Sequence, residues 1–304
     1  VLFDLEIIMD WRESKMGIAE KFSDFYEKIK MSRENMDIIS YRYNRLSKTL
    51  SEYFYGSSST NYSLYVGSYG RDTEVYISDI DMLFKLPYSK YKQYDGYYGN
   101  GQSALLQEVK GALLNTYPKT TIKGDGQIVS VYFTDGTYFE VLPVFKNTDE
   151  SFTYPDSNDG GKWKITNPQT EQKAIQDMNN CTNKNLKKLC RIMRVWKEQN
   201  NVQIPGILID VLAYNFIKDY VYKDKSYLYY DLFTRDFLKF LSEVPMTQNK
   251  WLVMGSNRYI YHYLSFQSKA KDSYNIAVNA IDYETRGFSY SSNQEWRKIY
   301  GSQF

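Results

Sequence analysis

Two aspartates that lie two residues apart are the feature of this sequence best suited to metal chemistry. Asp79 and Asp81 lie in the segment I-S-D-I-D-M-L-F, whose other residues favour a β-strand. Residues two apart in a strand point to the same face, about 6.6–7 Å from each other. Carboxylates on one face are costly to bury without cations, and hard ions such as Mg²⁺ bind oxygen ligands. The pair therefore indicates a divalent-metal site, with a solvated strand face as the alternative.

A third carboxylate lies in an apolar segment further along the chain. Glu140 is the only acidic residue between Thr137 and Phe145. A lone carboxylate in a buried strand destabilises the fold unless it is paired or bound to a metal. Three acids on neighbouring strands could hold two divalent ions, which would activate an attacking hydroxyl and stabilise a triphosphate leaving group. Asp135, by contrast, is predicted at the tip of a turn.

A glycine-containing turn precedes the aspartate pair. In the segment V-G-S-Y-G-R-D-T, Gly67 could let the backbone approach a ligand closely, and Ser68 could donate a hydroxyl hydrogen bond. If the turn opens a helix, the free N–H groups of that helix would point at a phosphate. An ordinary Gly-Ser turn is the alternative interpretation.

Residue spacing along the chain predicts the elements that must position these side chains: a helix, a mixed sheet and then a helical region. Apolar residues three and four apart predict helix from Trp11 to about Tyr55. The predicted strands are 62–66, 77–86, 127–133 and 137–145, and an Asp-Gly turn joins the last two. The predicted helices are 103–117, 183–200, 206–221, 231–243 and 264–283, with a further helix beginning at Pro168. Residues 88–101 are predicted as a surface loop, and residues 147–163 as a link between two lobes.

The composition excludes several classes of protein. With 38 Lys or Arg and 36 Asp or Glu among 304 residues, the net charge of +2 gives little sign of a continuous basic groove. Ser-His-Asp chemistry would depend on one histidine, His262. Cys181 and Cys190 are too few for a Cys-rich zinc site, and their helical context favours a reduced cytoplasmic protein. Neither a transmembrane helix nor a signal peptide is expected.

The order and spacing of the motifs resemble those of the DNA polymerase β-like nucleotidyltransferases. The segment G-S-Y-G-R is followed, eight residues after its arginine, by D-I-D, and a strand acid occurs in F-E-V-L-P-V-F. The nearest branch resembles the bacterial cGAS/DncV-like nucleotidyltransferases (CD-NTases). The resemblance extends over roughly residues 40–304 through W-K-I-T-N-P, L-K-K-L-C-R-I-M-R-V-W-K, P-G-I-L-I-D-V-L and E-W-R-K-I-Y-G-S-Q-F.

The resemblance implies an α+β fold. It comprises a polymerase β-like nucleotidyltransferase core of mixed sheet and helices, and a C-terminal helical lobe that forms a two-lobed cleft with the core. Residues 1–165 are expected to hold the N-terminal helices and the catalytic core, and residues 166–304 the helical lobe.

The same resemblance implies roles for the singled-out residues. Asp79, Asp81 and Glu140 are expected to bind two Mg²⁺ or Mn²⁺ ions, and Gly67 and Ser68 to contact the donor triphosphate. The family more often has Asp than Glu at the third acidic position. The longer glutamate side chain is expected still to reach the metal.

A basic helix supplies further candidates for binding the triphosphate. Six cations lie within fourteen residues, namely Lys184, Lys187, Lys188, Arg191, Arg194 and Lys197. For most of them the alternative is a solvated face whose aliphatic stems cover the core. By the resemblance, Arg194 stands where relatives carry a triphosphate-binding lysine, and Lys197 and Lys188 are further candidates. Gly206 stands where the family often has Ser or Gln, so that contact is expected to be lost or supplied by the backbone.

The implied activity is the joining of NTPs, ATP and/or GTP, into a cyclic di- or trinucleotide second messenger with release of pyrophosphate. The family association further implies bacterial anti-phage (CBASS) signalling and a separate effector that senses the product. Neither membrane association nor stable nucleic-acid binding is expected. Two alternatives remain: a nucleotidyltransferase acting on RNA, protein or small-molecule acceptors, and a non-catalytic module that binds nucleotide or metal.

Overall fold

Contacts divide the chain into two compact units. The computed structural model describes residues 2–75, 79–256 and 258–304, and for residues 2–15 it describes the backbone alone. The helical unit comprises residues 1–30 and 173–304, and the sheet unit comprises residues 31–172. The first helix therefore groups with the C-terminal helices, whereas the division predicted between residues 165 and 166 stays a prediction. The α+β class, with a mixed sheet and helices, is confirmed.

The described elements follow one another along the chain as helices and short strands. The helices are α1 (Leu2–Ile29), α2 (Arg33–Tyr55), α3 (Gly67–Arg71), α4 (Tyr88–Asp95), α5 (Gly101–Thr116), α6 (Pro168–Cys181), α7 (Asn185–Gln199), α8 (Gly206–Lys218), α9 (Tyr230–Glu243), α10 (Gln267–Thr285) and α11 (Ser289–Tyr300). The strands are β1 (Ser63–Tyr65), β2 (Ile80–Lys85), β3 (Thr121–Asp125), β4 (Ile128–Tyr132), β5 (Tyr138–Lys146), β6 (Phe152–Asp156), β7 (Lys162–Thr166), β8 (Lys250–Leu252) and β9 (Tyr259–Tyr261). Of the helices in the described part of the chain, none has both the length and the apolarity that crossing a membrane requires.

The sheet unit is built on a mixed sheet in the order β1-β2-β5-β4-β3, with β6 paired to both β5 and β7. The pair β2 and β5 is parallel, and the other pairs are antiparallel. Ile80 and Met82 of β2 and Val141 of β5 are fully buried in one core cluster with apolar residues of α2 and α5. Since side chains alternate along a strand, residues 81 and 140 point to the opposite face from this core.

Two segments differ from the expectations. Residues 88–101 were expected as a loop, but α4 forms there because Tyr91 and Tyr94, three residues apart, both pack on the core. Residues 147–163 were expected as a link between lobes, but β6 and the start of β7 extend the sheet. Residues 88–101 are rich in Tyr and Gly, and residues 147–163 are rich in Asn, Asp, Ser and Gly, so the apolar positions of both segments were not recognised.

Other predicted elements are confirmed with small changes of boundary. The predicted helix from residue 11 to 55 is two helices, because Ser32 caps α2 by accepting a hydrogen bond from the Asn35 N–H at 3.2 Å. The five helices predicted from Pro168 onwards occur as α6 to α10. The helix α11 and the β8–β9 hairpin were not predicted. Phe22 of α1 packs against Trp296 of α11, with ring centroids 5.2 Å apart in the core of the helical unit.

Candidate active site

Asp81 and Glu140 meet on neighbouring parallel strands of the sheet unit. They are direct partners in the register of β2 and β5, and their side chains are hydrogen-bonded to each other. Burial and the nearby Glu140 charge, opposed by Arg71, raise the pKa of Asp81 from 3.8 to about 6. The two half-buried carboxylates are in contact, and the positive charge of Arg71 does not fully offset the effects of burial and of their mutual repulsion.

Asp79 is the least enclosed of the three predicted acids. It is exposed and lies directly before β2, and its charge adds to the upward shift in the pKa of Asp81. The predicted strand was to begin at Ile77, but residues 76–78 lie outside the described residues. Among the residues that the structure describes, no group of three acidic, His or Cys side chains is placed to hold a metal ion. The structure thus brings together two of the three acids.

Gly67 brings the backbone of the glycine turn against Asp81. It opens the short helix α3 with a φ of 60°, and the neighbouring Val66 N–H donates to the Asp81 carbonyl at 2.9 Å. A Cβ added at Gly67 would lie 1.7 Å from Asp81 Oδ2. A side chain at this position must therefore displace the Asp81 carboxylate. Ser68, half-buried, follows in the same turn.

We expect Gly67→Ala to lower the nucleotide joining that the family resemblance implies by about 100-fold or more, since a misplacement of about 1 Å can cost that much in rate. The matched control is Gly56→Ala, because Gly56 has a similar φ of 67° but open space around its Cβ position. Initial rates of product formation by the two purified variants check the prediction. Equal rates for both would show that the Gly67–Asp81 contact has no role.

Arg71 is a site residue to which the sequence analysis gave no role. It is 7% exposed, forms an ion pair with Glu171 at 3.9 Å, and its charge lowers the pKa of Asp81. A buried guanidinium near the acid pair partly compensates the negative charge of the pair. The arginine of G-S-Y-G-R was the available signal, but its burial depends on α6, which supplies Glu171.

The raised pKa of Asp81 has a consequence for stability in the absence of metal. Because the folded-state pKa of about 6 exceeds the unfolded value near 3.8, the charged carboxylate destabilises the fold above pH 6. We expect Asp81→Asn to increase the free energy of unfolding by up to about 3 kcal/mol at pH 7.5. The gain should shrink as the pH falls through 6 and vanish near pH 4. Urea unfolding in EDTA over this pH range checks it, and a gain that does not depend on pH would contradict it.

The three predicted phosphate-binding cations lie in the helical unit, where their surroundings differ. Arg194 is 7% exposed and donates to both carboxylate oxygens of Asp210, at 2.6 and 2.9 Å, and to the Gly206 carbonyl at 3.2 Å. The Arg194 guanidinium is thus hydrogen-bonded to groups within the helical unit. Lys197 is half-buried near the end of α7.

Lys188 lies in an aromatic environment. Its Nζ is 4.6 Å from the ring centroid of Tyr227 and within 6 Å of the rings of Tyr26 and Tyr230. Burial, with a contribution from Lys30, lowers the pKa of Lys188. The triphosphate roles of Arg194, Lys197 and Lys188 stay predictions.

Comparisons with known proteins agree on one family. The profile of the Second Messenger Oligonucleotide or Dinucleotide Synthetase domain matches residues 16–179. A probable cyclic nucleotide synthase of Bacillus cereus (strain VD146) is 24% identical over 176 residues, which are 55% of this chain and 51% of that protein. The chain thus spans about half the length of this curated relative.

Solved structures of low sequence identity share the fold. CdnC of E. coli MS115-1, in complex with HORMA-deltaN, has a TM-score of 0.67 at 15% identity and covers 94% of this chain and 97% of its own. CdnG of Bradyrhizobium diazoefficiens, a CD-NTase in complex with GTP, has a TM-score of 0.63 at 10% identity, with coverages of 94% and 95%. The Vibrio cholerae cyclic AMP-GMP synthase DncV has a TM-score of 0.61 at 14% identity, with coverages of 99% and 90%.

Proposed function

This chain belongs to the Second Messenger Oligonucleotide or Dinucleotide Synthetase family, and on that premise we propose that it is a metal-dependent nucleotidyltransferase. It joins NTPs into a cyclic di- or trinucleotide and releases pyrophosphate. The observation that carries the proposal is the pairing of Asp81 with Glu140 on adjacent parallel strands. Such a pair is costly to maintain in a fold unless a cation compensates it.

The donor set fits Mg²⁺ or Mn²⁺. Proteins bind Mg²⁺ through one or two carboxylates together with substrate phosphates and water, so a cage made only of protein ligands is not required. Asp81 and Glu140 would hold the two expected ions, with Asp79 as a third ligand at the exposed side. When bound, the ions lower the pKa of the attacking ribose hydroxyl and stabilise the charge that develops on the phosphoryl oxygens.

The chain's own residues have positioning roles in this proposal. Gly67 and Ser68 are proposed to contact the donor triphosphate, and the absence of a side chain at residue 67 leaves room for the Asp81 carboxylate beside the glycine turn. Arg71 limits the repulsion between the acids while they are free of metal. Ring closure repeats the same attack at the same site, after the linear product of the first step has reversed its orientation there.

The substrates proposed are ATP and/or GTP. Support comes from the structural relatives, of which CdnC was solved with ATP and CdnG with GTP. By the family resemblance we further propose a role in bacterial anti-phage (CBASS) signalling, with a separate effector that senses the product. We also propose a cytoplasmic location, which is consistent with Cys181 and Cys190 not being joined in a disulfide.

Incubation of the purified protein with pairs of labelled NTPs and either Mg²⁺ or Mn²⁺ tests the proposal. Products that resist phosphatase are expected, because cyclisation leaves no terminal phosphate. Label transferred to added RNA or to protein would instead favour a nucleotidyltransferase with another acceptor. Unchanged NTPs under all conditions would favour a module that binds nucleotide or metal without turnover.

A further inference from the structure

Tyr138 contacts the carboxylate of Glu140 directly. The two residues lie two apart in β5, so they share the face that also carries Asp81. The Tyr138 hydroxyl lies 2.8 Å from Glu140 Oε1 and 3.1 Å from Ser130 Oγ. A phenol has one proton and a carboxylate only accepts, so Tyr138 donates to Glu140 and the Ser130 hydroxyl is left to donate to Tyr138. The result is a hydrogen-bond network across β4, β5 and β2 that links Ser130, Tyr138, Glu140 and Asp81.

The pairing of β4 with β5 fixes the geometry of this hydrogen-bond network. Ser130 is the register partner of Glu140, and Tyr132 is the register partner of Tyr138. The Tyr132 and Tyr138 rings stack with centroids 4.6 Å apart, which restricts the orientation of the phenol. The hydroxyl of Tyr138 is therefore held in place by groups outside the acid pair.

Glutamate needs such a restraint more than aspartate does. Its side chain has one more rotatable bond, so more conformational entropy is lost when its carboxylate is fixed. Glu140 is only half-buried, so packing alone does not select one conformation. A hydrogen bond to one carboxylate oxygen selects among the conformations that the extra bond allows.

We propose that Tyr138 is a positioning residue, which, oriented by Ser130, holds the carboxylate of Glu140 in the conformation that binds the divalent ion. The inference rests on the proposed function of the Asp81–Glu140 pair and adds a residue that determines its metal affinity. Residues that orient metal ligands typically change metal affinity or activity by about 10- to 100-fold when they are replaced.

The test uses Tyr138→Phe, which keeps the stacked ring and removes the hydroxyl. The matched control is Tyr94→Phe, because the Tyr94 hydroxyl also donates to a glutamate, Glu108, at 2.8 Å within the sheet unit but away from the acid pair. Mn²⁺ binding is measured by electron paramagnetic resonance with a non-hydrolysable ATP analogue present. Product formation is measured as a function of Mg²⁺ concentration.

We expect Tyr138→Phe to weaken Mn²⁺ binding by about 10-fold or more and to raise the Mg²⁺ concentration for half-maximal rate by a similar factor. Tyr94→Phe should leave both unchanged. In a Glu140→Asp background, Tyr138→Phe should add no further loss of Mn²⁺ affinity, since the shorter side chain no longer makes the contact. A purely structural role would instead lower the thermal stability of both tyrosine variants without a selective effect on metal affinity.

The outcomes separate this inference from the proposed function. Weaker Mn²⁺ binding by Tyr138→Phe, in a protein that makes no nucleotide product, would support the positioning role and count against the synthase. Unchanged Mn²⁺ affinity and Mg²⁺ dependence in Tyr138→Phe, with an active wild-type protein, would overturn the positioning role alone. A wild-type protein that binds no Mn²⁺ would overturn both.

Discussion

Replacing Asp81 with Asn is expected to lower nucleotide joining by at least about 10³-fold while the protein stays folded. The amide is a weaker ligand and carries no negative charge, so several kcal/mol of metal-derived stabilisation of the transition state are lost, at tenfold in rate per about 1.4 kcal/mol. The amide also relieves the repulsion from Glu140, so the loss of activity does not come from unfolding. Initial rates with saturating NTPs and Mg²⁺ provide the measurement.

A control of the same chemistry is available in the same sheet. Asp125, exposed at the end of β3, should tolerate Asp125→Asn with little change in rate, because its carboxylate accepts a hydrogen bond from the N–H of the next residue, Gly126. The double variant Asp79→Ala plus Asp81→Ala should likewise be folded and inactive. Product formation by that folded double variant would count against metal catalysis at this pair.

Replacing Asp210 with Ala is expected to destabilise the helical unit by roughly 3–5 kcal/mol, because it leaves the Arg194 guanidinium buried without its counter-charge. Asp210 is fully buried, and both of its carboxylate oxygens accept from Arg194. Urea unfolding at pH 7.5 measures the change in free energy. The surface pair Lys173–Asp177 provides the control, and Asp177→Ala should cost less than about 1 kcal/mol.

The same variant bears on the predicted phosphate role of Arg194. If Asp210→Ala unfolds at nearly the same urea concentration as the wild-type protein, the Arg194–Asp210 pair does not stabilise the fold, and the Arg194 guanidinium remains available to a ligand. If it is strongly destabilised, and Arg194→Met combined with Asp210→Leu recovers much of the loss, the pair acts as a structural unit. A triphosphate would then have to compete with Asp210 for Arg194.

The acids could be predicted from residue type and spacing because strand alternation is a local property. Asp81 and Glu140 were placed on strands, and their strands are neighbours in the sheet. The distance between them could not be predicted, since it depends on the parallel register of β2 and β5. The ion pair of Arg71 was missed for a related reason, since its partner Glu171 lies in another element. Tyr138 and Glu140 lie in the same strand, but the groups that orient the Tyr138 hydroxyl, Ser130 and Tyr132, belong to β4, and a single sequence does not specify that pairing.

The fold was predicted best where apolar spacing was regular. The helices α5, α7, α8 and α9 begin and end within a few residues of the expected positions. Residues 88–101, where α4 forms, are rich in Tyr and Gly, and residues 147–163, where β6 and the start of β7 form, are rich in Asn, Asp, Ser and Gly, so their apolar faces were not recognised. The grouping of α1 with the C-terminal helices is a tertiary contact that helical periodicity cannot reveal.

Diffraction from crystals soaked in Mn²⁺ with a non-hydrolysable NTP analogue tests the central claim most directly. Anomalous scattering locates Mn²⁺ independently of the protein atoms. We expect peaks within metal–oxygen bonding distance of the carboxylates of both Asp81 and Glu140, and no peak there in Asp81→Asn. Nucleotide bound with no Mn²⁺ at this pair, or Mn²⁺ held only by other residues, would contradict the account.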